Sequence, residues 1–438
     1  MNTNDKYTLA DLAIEHALKN GADQVSVVID DNRSTSIEIR DQKIDSLQES
    51  NQNGFRISLY ADKKYSSHST NRMKKDELLK FIDEALVATR FLASDEFRSL
   101  PDPELYYKGG SANLNVFDSG FDSVEPKTKI DLARNVHDEA FKKDDRIISV
   151  SSSYYDNINN RVMVASNGFR GDSANTYISL SASVSMKSDS GRPSDYWYEN
   201  SLFFDKLKTT GIGEKALQRT IRKMGPKKIG SGKYTVLIEN RVASRICSPV
   251  FQSLQGNSLY NKQSFLIGME NKPIGSSKLT VSDDPSILSG MGSRLFDDEG
   301  LAATRRSVIE NGVLKSYFID DYYGKKLGMK PTSGGSSNII FNTGTRGMDE
   351  MLASVKKGVL ITGFIGGNSN SSTGDFSFGI EGFYIENGII IHPLNEMNIA
   401  GNMNQFWFNL VETGNDFLEN ESVRIPSLMF ENIDLSGL

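Results

Sequence analysis

The sequence predicts an α+β protein in two domains: a mixed helix/strand domain over residues 1–215, a linker over 216–232, and a β-rich, coiled, barrel-like domain over 233–438. Three observations carry this. In the first half, three segments of helical periodicity lie among strands that alternate apolar and polar residues. In the second half, helical signals give way to hairpins, with Asn-Gly set twice between apolar runs. Between them, residues 211–232 form a basic, glycine-containing helix and connection, the composition expected of a boundary.

Leu9, Leu12, Ala13, His16 and Ala17 share one face of a first helix, which Asn20-Gly21 ends. Val25, Val27 and Ile29 then alternate with polar residues, as do Ile37 and Ile39, and Phe55, Ile57 and Leu59. Leu78, Phe81, Ile82, Ala85 and Leu86 mark a second helix, closed off by Pro101 and Pro103. Pro126 opens a third, with Ile130, Ala133, Val136, Ala140 and Phe141 inward. The cleanest half-buried strand is Ile178, Leu180, Ala182, Val184 and Met186. The tetrapeptide Asn-Gly-Phe-Arg occurs at 53–56 and again at 167–170; a relic of duplicated hairpins and coincidence both account for it.

Gly211, Gly213 and Ala216 fit GxGxxA, but without a preceding strand they read as a helix start, and Gly232-Lys233 lacks the rest of a phosphate-binding loop. Residues 234–238 (YTVLI) form a buried strand. A helix follows, with Val242, Ile246 and Val250 inward and Pro249 interrupting it. Val308–Leu314 (VIENGVL) and Tyr384–Ile390 (YIENGII) should be type I′ hairpins, with Glu310 and Glu386 as solvated flanks.

The composition is that of a globular protein, and a net charge of −6 with pI near 5.5 argues against broad binding to nucleic acid or anionic membrane. Residues 1–6 (MNTNDK) are polar and no run approaches ~20 apolar residues, so the expected location is cytoplasmic. The single Cys247 reads as core filler rather than nucleophile. His16, His68, His137 and His392 include no pair at ligand spacing, and each reads as satisfied or exposed. Asp297, Asp298 and Glu299 before Gly300 read as a solvated turn. No GxSxG elbow is present.

Residues 236–247 (VLIENRVASRIC) resemble a segment of TldD/PmbA proteins, known also as modulators of DNA gyrase. Four later blocks match that family in order: GSRLFDDEG at 292–300, LGMKPTSGGSSN at 327–338, GDFSFGIEGF at 374–383 and PLNEMNIAGN at 393–402. The resemblance places Glu239, Asn240 and Ser244 where the TldD branch carries the His, Glu and His of its zinc-peptidase HExxxH motif. Residues 403–414 also lack the zinc-binding Cys of that branch. A catalytic zinc needs about three protein ligands, an open position and a nearby base. Asn240 is no base, Ser244 is a poor zinc ligand, and Glu239 alone would hold metal weakly.

The resemblance is therefore to the PmbA (TldE) branch and implies no catalytic residue, cofactor or metal in this chain. It implies zinc in an HExxxH-bearing TldD-like partner, a heterodimer with that partner, and unfolded or short peptides as substrates. Self-association into a homodimer stays open for the isolated chain. Two other readings also stay open: a protein-binding module acting on gyrase, and a stand-alone hydrolase with an unrecognised site. The polar segments 332–338 and 366–375 read as loops rather than core, placed either on the wall facing the partner's zinc or as plain surface connections.

Overall fold

The computed structural model describes residues 1–110, 112–189 and 191–437. Its first half is one topological unit used twice. Helix α1 (Thr3–Lys19) leads into β1 (Gln24–Arg40), β2 (Lys43–Ala61), β3 (Lys64–Thr70) and helix α2 (Lys75–Thr89). The second copy runs α3 (Pro126–Ala140), β4 (Ile147–Ala165), β5 (Arg170–Met186), β6 (Ser194–Ser201) and α4 (Ile212–Arg222). All six strands join one antiparallel sheet in the order β3-β2-β1-β4-β5-β6, with β1 and β4 meeting at its centre. The order reads as two mirrored triplets.

One face of this sheet carries both helix pairs. Val25, Val27 and Ile29 pack under α1 and α2, whereas Ile37 and Ile39 of the same strand pack under α3 and α4. The two alternating runs are one strand, joined through the polar Asp30, Asp31, Asn32 and Arg33. The polar stretch is the seam between the two cores. Lys6 of α1 reaches Asp31 at 2.7 Å, and Lys129 of α3 reaches the buried Asp156 at 2.5 Å. Buried charges are tolerated where they are paired in this way.

The two Asn-Gly-Phe-Arg segments are not equivalent in this duplication. Residues 53–56 lie within β2, whereas Asn167-Gly168 turns β4 into β5, with Gly168 at φ +109°. The duplication therefore shows in topology and not in this tetrapeptide. Residues 216–222, read as linker, form the body of α4, whose Ile212, Ala216 and Leu217 are buried against β5 and β6.

In the second half, β7 (Gly232–Ile238), β12 (Lys357–Ser369), β13 (Asp375–Glu386), β14 (Ile389–Asn402) and β17 (Leu428–Ser436) form a closed barrel. The order is β14-β13-β12-β7-β17, and β17 pairs back onto β14. Closure leaves these strands no continuous free edge. Strand β15 (Leu410–Thr413) is appended to β17. A smaller sheet, in the order β10-β9-β8-β11-β16, comprises β8 (Val281–Asp283), β9 (Arg306–Glu310), β10 (Val313–Leu314), β11 (Ile339–Phe341) and β16 (Val423–Arg424). The parallel pairs β7–β12 and β11–β16 are local, and neither half is a doubly wound parallel sheet.

Helix α5 (Asn240–Ser253) leaves the end of β7 and turns Ala243, Ile246, Cys247 and Val250 into the barrel core, where they meet Phe376, Phe378 and Phe430. It runs on through Pro249, which removes one donor to the preceding turn without ending the helix.

Both Asn-Gly turns have positive φ at both central residues: Asn311 (+49°) with Gly312 (+79°), and Asn387 (+51°) with Gly388 (+75°). At Gly312 an added Cβ would sit 2.2 Å from the Gly275 carbonyl oxygen; at Gly211 (φ +78°) it would meet nothing within 4 Å. Gly312→Ala should therefore cost more than the ~1–2 kcal/mol of left-handed backbone alone, and Gly211→Ala should cost about that term only. Urea midpoints of the two variants check the difference; equal losses would contradict it.

Candidate functional site

The site grows from the point where β7 ends. Its last residues pair with β12 on one side and β17 on the other, and the Glu239 amide still donates to the Ile361 carbonyl at 3.0 Å before the chain turns into α5. Glu239, Asn240 and Ser244 thus stand at the head of a helix fixed by the barrel.

None of the three side chains is arranged for metal. The Glu239 carboxylate is held by the Arg219 guanidinium in a two-pronged bond of 2.7 and 2.7 Å, with Arg241 Nε at 3.5 Å. The Asn240 side chain accepts the Arg241 amide at 2.6 Å and donates to the Asp416 carbonyl. Ser244 is exposed one turn on. Glu239 already has a cation, Asn240 is an amide and Ser244 an alcohol, so this donor set does not fit zinc. Among the described residues no three His, Cys, Asp or Glu side chains converge to hold a metal ion. Residues 403–414, where the resemblance sought a Cys, put Met403, Phe406, Trp407 and Leu410 into the barrel core.

Behind Glu239 lies a second carboxylate that sequence reasoning missed. Asp195 on β6 is buried and faces three cations: Arg241 at 3.1 Å, Lys223 at 3.2 Å and Arg219 at 3.3 Å. Burial pushes its carboxyl up, but Lys223, Arg241 and Arg219 outweigh that and hold it below the ordinary range. Lys223 also pairs with Glu381 of β13 at 2.8 Å, and Arg241 donates to the Thr362 carbonyl of β12 at 3.0 Å. The network joins α4 and β6 of the first half to α5, β12 and β13 of the second. A cleft of about 390 Å³ opens beside it. The available signal was the spacing of Arg219 and Lys223, four apart in the basic helix and connection over residues 211–232.

The remaining candidates stay apart. His16 meets Asp83 at 2.7 Å, His68 meets Ser66 at 2.8 Å, the buried His137 contacts Asp138 at 2.9 Å, and His392 contacts the Pro393 carbonyl at 3.0 Å. They sit on α1, β3, α3 and β14. Cys247 is buried, and burial pushes its thiol up. Glu310 and Glu386 are exposed.

One expectation about the polar segments is corrected. Residues 332–338 are not a surface loop: Ser333, Ser337 and Asn338 are buried, and Arg306 holds the Gly335 carbonyl at 2.9 Å. Backbone carbonyls gripped by arginines make so polar a stretch stable inside. Residues 366–375 do lie at the surface, beside α5, where Arg245 donates to the Gly367 carbonyl at 3.2 Å.

The acidic turn is also more than solvated. Asp298 is exposed, but Asp297 is buried and accepts the Glu299 and Leu301 amides, both at 2.9 Å. Burial pushes the Glu299 carboxyl up to about 8; the Asp321 amide opposes this and Asp320, Asp297 and Asp321 reinforce it. Because the folded state holds this proton more tightly than the unfolded chain, the contribution is complete below pH ~4.3, the usual glutamate value, and is lost as pH rises towards 8. Glu299→Gln should therefore match the natural protein at pH 4 and become increasingly more stable than it up to pH 9. A difference in unfolding midpoint that does not change with pH would contradict this.

Three models of PmbA/TldA metallopeptidases match in order: domain 1 over residues 25–88, the central domain over 119–224 and the C-terminal domain over 231–437. A crystal structure from Bacteroides thetaiotaomicron, of a proposed modulator of DNA gyrase, is 48% identical with a TM-score of 0.98, and all of each chain is covered. The chain belongs to the PmbA/TldD family. A metalloprotease PmbA homologue of Haemophilus influenzae is 29% identical, with 97% of this chain and 94% of that protein covered. TldE from Thermococcus kodakarensis has the same fold at 18% identity, with a TM-score of 0.88 and 98% and 100% covered. The first two PmbA/TldD models fall on the two copies of the duplicated unit, the first without α1, and the third takes the barrel half. No helix among the described residues is long and apolar enough to cross a membrane.

Proposed function

We propose that this chain is the non-catalytic, TldE/PmbA-like subunit of a cytosolic TldD/TldE-type metallopeptidase that cleaves unfolded or short peptides. One observation carries the reading: at the motif position an arginine–glutamate pair occupies the place of a metal–ligand contact, with Arg219 bound to Glu239 at 2.7 Å. Zinc and the catalytic base then belong to an HExxxH-bearing homologue, and this chain supplies part of the enclosure that keeps folded proteins out. The acidic charge favours a protein or peptide partner over nucleic acid. The gyrase connection rests on the names of relatives, and no feature of this chain favours it over peptide handling.

Mixing the chain with its HExxxH homologue should give a heterodimer on size-exclusion chromatography and peptide hydrolysis that neither chain gives alone. Shortening residues 366–375 should reduce cleavage of long peptides without abolishing assembly. Full activity from the homologue alone, or no complex, would count decisively against this reading.

A further inference from the structure

The cleft beside α5 carries more donors than its own carboxylates satisfy. Arg219, Lys223 and Arg241 are balanced in number by Asp195, Glu239 and Glu381. Arg245 is the surplus. It lies one turn beyond Arg241 on the same face of α5, pairs with no carboxylate among the described residues, and is held by the Gly366 and Gly367 carbonyls at 3.4 and 3.2 Å and by the face of the Phe378 ring, 4.6 Å from its guanidinium carbon.

A second observation points the same way. The Arg241 side chain is 2% exposed, yet its Nη1 has no hydrogen-bond partner, and neither has the buried Thr362 hydroxyl. Arg241 Nη2 binds the Thr362 carbonyl, and both residues line the cleft with Ser244 and Arg245. Buried donors left unpaired cost free energy, and such a group in a native protein commonly marks a missing acceptor. A planar anion with two oxygens is the acceptor that suits a guanidinium edge, a hydroxyl and a second arginine.

We propose that this cleft binds a carboxylate, with Arg245 and Ser244 taking one oxygen and Arg241 Nη1 and the Thr362 hydroxyl the other. The Tyr196 ring, 46% exposed and 4.4 Å from the guanidinium carbon, covers Arg241, so binding requires the ring to move aside. Only the source of the carboxylate rests on the peptide-handling function proposed above. The carbonyls of Thr362, Gly366 and Gly367 on β12 are already taken by Arg241 and Arg245, so a peptide cannot run on along that edge as an added strand. It would end there, and the carboxylate is that of a chain terminus.

Calorimetric titration of the isolated full chain, in zinc-free buffer, tests this with three probes: acetyl-trialanine with a free carboxylate, the same peptide as its C-terminal amide, and acetyl-Ala-Glu-Ala amide. The free-carboxylate peptide should bind and the plain amide should not. Binding by the glutamate peptide as well would support the carboxylate site while making side chains a second source. Arg245→Gln should weaken binding at least tenfold while the variant still unfolds in one cooperative transition, and Thr362→Val should weaken it several-fold. Binding of the plain amide equal to that of the free carboxylate, no binding of either carboxylate peptide, or full binding by both variants would overturn the proposal. Because no partner is present, failure here leaves the reconstitution result standing, and failure of reconstitution leaves this one standing.

Discussion

Asp195→Ala should lower the unfolding free energy by about 3–5 kcal/mol, the range for removing one partner of a buried ion pair. Asp195 is the shared counter-charge of Arg219, Lys223 and Arg241, and its removal sets three cations against two remaining carboxylates. Glu239 and Glu381 cannot move to compensate, since one heads a helix fixed by the barrel and the other lies within β13. The loss has a pH signature. A carboxyl held below its ordinary range stabilises the fold above that range, and the contribution disappears as pH falls through the folded value. Natural protein and variant should therefore differ strongly in urea at pH 7, and the difference should shrink as pH falls below the ordinary aspartate value of about 3.9. A difference below 1 kcal/mol at pH 7 would mean that the network is not the strut between the two halves.

The second large effect concerns rebuilding the motif. Glu239→His, Asn240→Glu and Ser244→His together recreate HExxxH, yet the variant should neither retain zinc through gel filtration nor hydrolyse peptides above background. Arg219 would lose its carboxylate and point its charge at the new imidazole, which disfavours a dication beside it. Residues 403–414 would still offer the barrel core Met403, Phe406, Trp407 and Leu410 rather than a further ligand. Stability should also fall by about 3 kcal/mol through the broken Arg219–Glu239 pair. One retained zinc per chain with chelator-sensitive hydrolysis would show that the three positions alone decide activity.

What the sequence made legible follows from how local each signal is. The Asn-Gly hairpins, the first three helices and the β7–α5 junction were readable because turn geometry and apolar periodicity act over a few residues. The full length of β1 was not, because Asp30 to Arg33 owe their polarity to a seam between two cores that only the folded sheet creates. Nor was the αβββα duplication, which is carried by strand order and pairing rather than by repeated residues. At the site, the unsuitability of Glu239, Asn240 and Ser244 as zinc ligands followed from side-chain chemistry alone. Their partners did not: Asp195, Arg219, Lys223 and Glu381 come from three elements spread over nearly two hundred residues, and a charged residue on an amphipathic helix looks the same whether it faces water or a buried carboxylate. The gripping of residues 332–338 by arginines was hidden for the same reason.

The most direct test of the central claim is the metal content of the purified chain, measured by elemental analysis alongside a peptide-hydrolysis assay with and without chelator. The ion-pair network at the motif position predicts zinc well below one equivalent per chain and no chelator-sensitive hydrolysis. One tightly held zinc per chain, with activity lost on its removal, would contradict it.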